Sequence, residues 1–151
     1  MADVVFNAAK GRLAHYADLP GTDDALIAVL LQSTGLQADN VLIDNDTLAD
    51  VLANNAEADF TNYSRQTLTG VSVTVDDLTN TVSLDADDIT WATAGGATNN
   101  TLAKLLICYD PDTTGGDDSE IIPLTAHDVS ITTDGATIII TLHSDGFAQI
   151  S

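Results

Sequence analysis

Basic side chains are nearly missing from this chain: Lys10, Arg12, Arg65 and Lys104 stand against 23 acids, a formal charge of −19. Four dispersed cations cannot assemble a phosphate-binding patch, which argues against nucleic acid and against an anionic membrane as partners. Cysteine is limited to Cys108, so there is no disulfide framework and no Cys-based zinc site. The longest apolar run, ALIAVLL, falls far short of the ~20 residues that a membrane-spanning helix needs. No positively charged, apolar signal segment opens the chain, which therefore reads as soluble and not Sec-exported. Glutamate is scarce as well. Of the 23 acids, 21 are Asp and only Glu57 and Glu120 are Glu, a bias toward turns and caps rather than helix interiors.

What is present is a globular composition. With 151 residues, 44% of them apolar, the chain can build one domain with a real core. Its twenty threonines favour pleated surfaces. Residues 1–24 differ in character from the rest, holding two of the four cations and an LPG turn, and read as an N-terminal arm or an edge strand. The continuous apolar run Ala25 to Gln32 lacks an informative period, and a strand is favoured over a short helix. In IDNDTLADVLANN, Asp46 is placed to cap a helix near 46–54 with Leu48, Val51 and Leu52 on one face.

From Phe60 onward the period becomes two. Val71, Val73 and Val75 alternate with Ser72, Thr74 and Asp76, and TVSLD, ITWA, LAKLLICY, DVSITT and ATIIITLH follow as strands, with EIIPL as an optional extra one. LAKLLICY is apolar at nearly every position, as a central strand buried on both faces would be. Asp134-Gly135 between two β-branched runs predicts a type I′ hairpin, and Gly95-Gly96 reads as a hairpin loop. The pattern predicts a mainly β fold, an antiparallel, jelly-roll-like β-sandwich over 25–151 with one short helix and an N-terminal arm.

Candidate chemistry is thin. CYDPDTTGGDDSE offers Asp110, Asp112, Asp117, Asp118 and Glu120 as oxygen ligands for calcium or magnesium, but the EF-hand pattern fails because its twelfth position is Ile121. The simpler reading is a solvated connection in which Pro111 ends a strand and Gly115-Gly116 supply positive φ. Asp85, Asp87 and Asp88 form a second carboxylate cluster without a partner motif. His15, His127 and His143 are never in HxH or HExxH spacing, no GxSxG is present, and Cys108 lies within an apolar strand pattern. No catalytic residues and no cofactor are therefore assigned.

The stretches DFTNYSRQTLTG and ITWATAGGATNNTLAKLLICYDPDTTGGDDSEIIPLTAHD, together with LLQSTGLQAD and DTLADVLANN, resemble a family of small virion proteins encoded among the structural genes of tailed bacteriophages. That resemblance implies a head-associated or decoration-type protein and carries over no functional residue. It leads to the expectation of a homo-oligomer, a trimer by preference, that binds the major capsid protein on the virion exterior after residence in the host cytoplasm. Phe6, Lys10, Arg12, Leu13 and Tyr16 are the candidate attaching residues, because the leader concentrates half the cations opposite an acidic body. On that reading, removal of residues 2–18 abolishes docking and leaves the fold intact. The alternatives are a tail, baseplate or head-fibre component, and a calcium-dependent carbohydrate-binding module.

Overall fold

Ala25–Gln32 and Thr101–Asp110 pair antiparallel through eight register positions, and both strands are buried along nearly their whole length. Neither strand has a polar face, so each face of the ladder must be covered by something else. The computed structural model, which describes residues 3–151, shows how the rest of the chain supplies the two covers.

In chain order the elements are β1 (Val4–Val5), a 3-10 turn (Asn7–Ala9), α1 (Leu13–Ala17), β2 (Ala25–Gln32), α2 (Asp39–Leu42) and α3 (Leu48–Asn54). There follow β3 (Gln66–Thr67), β4 (Ser72–Asp76), β5 (Thr81–Asp85), β6 (Ile89–Trp91) and β7 (Thr101–Asp110). The last three are β8 (Ile122–Thr132), β9 (Ile138–Ile140) and β10 (Ala148–Ile150). They form a main sheet in the order β1-β8-β7-β2-β3, a smaller sheet β10-β5-β4 and a ladder β6-β9, antiparallel throughout. The fold is thus mainly β, with the strands divided among three sheets and more helical turns than the single short helix expected.

One face of the main sheet, carrying Leu26, Leu30, Leu105 and Ile107, packs against Leu84 of β5, Trp91 of β6 and Leu13 of α1. The opposite face, carrying Ile27, Val29, Leu106 and Cys108, is covered by Leu42 of α2, Leu48 and Val51 of α3, and Phe6. Alternation along β2 and β7 delivers successive side chains to opposite layers, and this explains their unbroken apolar sequence. Cys108 sits wholly within the second layer, where burial pushes its thiol pKa up.

α3 begins one residue later than expected. Thr47, not Asp46, is the N-cap: its Oγ1 accepts from the Asp50 N–H at 3.2 Å, and its own N–H donates to Asp50 Oδ2 at 3.1 Å. This reciprocal pair is a capping box, which needs the residue three positions before an acidic side chain. The N–H groups of Leu48 and Ala49 donate to the carbonyls of Ile121 and Asp118, so the acidic loop closes the start of the helix.

Two turn expectations are corrected. β8 and β9 do not form a hairpin across Asp134-Gly135, since β9 pairs with β6. The Thr133 and Gly135 N–H groups instead donate to the carbonyls of Asn100 and Ala94, and these bonds carry the chain out of the main sheet into the other layer. For the same reason Gly95-Gly96 lies in a crossing between sheets, since β6 and β7 belong to different ones. DVSITT and the extra strand EIIPL are in fact one long strand, β8.

The N-terminal segment is part of the domain from Asp3 onward; residues 1 and 2 lie outside the described residues. β1 pairs Val4 with Ala126 and Val5 with Thr125, and Phe6, Ala9, Leu13 and Ala17 are buried. The separation into an arm and a body at residue 24 therefore gives way to the edge-strand reading. Removing residues 2–18 would take out core side chains and could not leave the fold intact. Phe6→Ala is expected to cost about 3–5 kcal/mol, the usual range for emptying a buried aromatic site, read from urea denaturation with unchanged m-value. A dangling Phe6 would leave the midpoint where it is.

Candidate functional site

The five residues proposed for attachment separate into two groups. Phe6 is fully buried against the helical layer and Leu13 is buried against the sheet layer, so both act in folding. Lys10 and Arg12 are exposed, and Tyr16 is half-buried, stacked on Tyr109 with ring centroids 4.8 Å apart. Tyr109 donates to Asp24 Oδ2 at 2.8 Å, and burial together with that carboxylate pushes its phenol up to about 12. The tyrosine pair thus belongs to the framework that holds α1 in place.

The four cations of the chain differ sharply in what they meet. Arg65 lies between two carboxylates, donating to Glu57 through Nε and Nη2 at 2.8 Å each, and to Asp118 through Nη1 at 2.6 Å and Nη2 at 2.9 Å. Tyr63 donates to the same Glu57 at 2.8 Å and accepts from the Leu30 N–H, which ties the cluster to β2. Lys104 is wholly buried, with its ammonium 2.9 Å from Asp39 and 2.6 Å from Asp128. Burial lowers its pKa, but the two aspartates outweigh that effect and hold it charged. Lys10 donates to Asn7 and Arg12 to the Tyr16 hydroxyl, and among the described residues neither has a carboxylate within ion-pair distance.

Beside these two exposed cations is a groove of about 510 Å³. Val5, Leu13, Ala14 and Ile150 give it an apolar floor, Lys10 lines it, and Arg12 lies in the chain between its lining residues Gly11 and Leu13. Sequence reasoning missed Val5, Ala14 and Ile150 here. The groove joins residues near the two ends of the chain, and no local pattern announces such a meeting.

The acidic loop does not gather its carboxylates. Asp112 accepts from Thr114, Asp117 from Ser119, Asp110 from the Asp112 N–H and Glu120 from the Asp117 N–H, each within its own turn. Asp118 is engaged by Arg65. Gly116 supplies the positive φ the loop needs, at 77°, and Gly115 does not. Among the described residues, no group of three or more His, Cys, Asp or Glu side chains converges as a metal cage. The cluster at 85–88 disperses too: Asp85 accepts from the Ala86 N–H, Asp87 from Thr69, and Asp88 from the Leu142 N–H. His127 bonds Asp3 and Thr125, while His143 is exposed on the other side of the same shallow cavity and His15 is exposed elsewhere. Among the described residues no helix is long and apolar enough to cross a membrane.

Comparison with protein-family models, curated proteins and solved structures finds no match to this chain.

Two outcomes follow from this geometry. Millimolar calcium or a chelator is expected to leave the melting temperature within about 1 °C, since a ligand stabilises only through the native site it fills. The Asp118 carboxylate is held below its ordinary range, first by its hydrogen bonds to Arg65. Its contribution is therefore present above the unfolded pKa of about 3.9 and lost as pH falls through the lower folded value. Asp118→Asn should reduce the urea midpoint at neutral pH and flatten its fall on acidification; parallel pH profiles for variant and wild type would contradict this.

Proposed function

We propose that this protein is a non-enzymatic virion component of a tailed bacteriophage, a decoration or minor capsid protein that binds the outside of the shell and stabilises contacts between capsid subunits. The observation that carries the reading is an apolar groove lined by Lys10 and next in the chain to Arg12, two cations that among the described residues have no acidic partner, on a body that is otherwise strongly acidic. The resemblance of its central segments to small virion proteins supplies the location.

The attaching surface on this reading comprises Lys10 and Arg12 with the groove floor, and Tyr16 as a support. Phe6 acts behind it by fixing the backbone of the N-terminal segment, and Leu13 joins the floor to the core. A decoration protein repeats one modest contact many times over a symmetric shell, and assembly as a small homo-oligomer, a trimer by preference, multiplies the strength of each attachment. The acidic remainder of the surface keeps the free protein soluble in the host cytoplasm and opposes unspecific association.

Lys10→Glu combined with Arg12→Glu is expected to abolish co-sedimentation with undecorated capsids while the melting temperature stays unchanged, since both side chains are exposed. Wild-type protein that fails to pellet with such heads overturns the capsid assignment.

A further inference from the structure

We infer that the groove is a strand-addition site for an extended, acidic polypeptide segment carrying aliphatic side chains, supplied by the surface to which the protein attaches. This rests on the attachment reading above and names the chemistry of its partner.

Three features converge on that occupant. First, the groove is bordered by strand edges. Among the described residues, β10, which contributes Ile150, pairs with β5 on one side only, and β1, which contributes Val5, pairs only with β8. An edge strand presents unpaired backbone N–H and C=O groups, and an added strand satisfies them without demanding a particular sequence.

Second, the floor is apolar and continues onto the sheet. Ile150 stands opposite Val82, and Val82 opposite Val75, so the three form one row across β10-β5-β4 on a single face. Ile150 is 40% exposed and Val75 66% exposed, which leaves this row partly uncovered beside the groove. In an added strand, alternate side chains point to one face, so every second aliphatic residue of the partner would meet this floor.

Third, the charge selects the partner. Lys10 lines the groove and Arg12 lies in the chain between its lining residues Gly11 and Leu13, and among the described residues neither has a carboxylate partner, on a chain with 23 acids. Carboxylates on the incoming strand meet these two cations, while a basic segment would gain nothing at the rim that the rest of the surface does not offer better.

The test is fluorescence anisotropy of a labelled synthetic peptide, about nine residues long, with alternating Asp and Val, against a control with Lys in place of Asp. The acidic peptide is expected to bind saturably and the basic one not. Lys10→Glu with Arg12→Glu should weaken binding at least about tenfold, a loss that two reversed rim charges can supply. Ile150→Asp should abolish it, and hydrogen exchange at Ala148–Ile150 should slow on binding, which a purely electrostatic contact would not produce. Equal binding of both peptides, no binding, or indifference to the variants overturns the inference. Light scattering that shows concentration-dependent association, lost in the same variants, assigns the groove to a second copy and overturns it too. Capsid binding without peptide binding would sink the strand-addition inference alone; peptide binding without capsid binding would sink the proposed function alone.

Discussion

The ladder between β2 and β7 carries apolar side chains toward both of its faces, and each of its strands is therefore useless in water until two separate layers are built over it. Everything else in the chain can be placed by asking which face it covers. β5, β6, β9 and α1 close one side, while α2, α3 and Phe6 close the other. The two layers share no buried side chains of β2 or β7, because successive positions point oppositely, with the bulge between Leu102 and Lys104 resetting the alternation so that Leu102 joins Leu105 and Ile107.

Charge is arranged around this hydrophobic constraint with few cations to work with. Arg65 joins β2, through Tyr63 and Glu57, to the acidic loop, and that loop in turn closes the start of α3. Lys104 is harder to account for by stability alone. A wholly buried ammonium between two aspartates recovers little more than its own desolvation. Its position at the bulge where β7 shifts register between Leu102 and Lys104 ties α2 and β8 to one point of the central strand. The acidic loop that dominates the sequence by eye is thus a structural connection whose carboxylates serve their own turns.

The parts of this fold that could be read directly are those whose signal is local and uninterrupted. LAKLLICY announced a central strand because a polar face is missing from it, ALIAVLLQ favoured a strand over a short helix without an informative period, and Leu48, Val51 and Leu52 announced a helix by spacing. The hairpin at Asp134-Gly135 failed because turn propensity describes only the turn, whereas the backbone bonds of Thr133 and Gly135 to the 94–100 crossing decide which strand follows. Phe6 and Leu13 looked like free arm residues because their burial depends on β8, far away in the chain. The same distance hid the groove: Val5 and Ile150 come together only after every sheet has formed. Lys10 and Arg12 were legible as unusual cations, and the apolar floor that gives them a use was not.

The pairing of Val4 with Ala126 also sets a schedule for biosynthesis. Once made, β1 waits for a partner that lies 126 − 4 = 122 residues further along the chain, on the order of 10 s at ordinary rates of translation. Until then the Phe6 N–H lacks the Leu124 carbonyl to which it donates, and the helical layer that Phe6 shares with Ile121 and Ala126 is incomplete. The dense negative charge of the residues made in the meantime opposes association between neighbouring nascent chains while it waits.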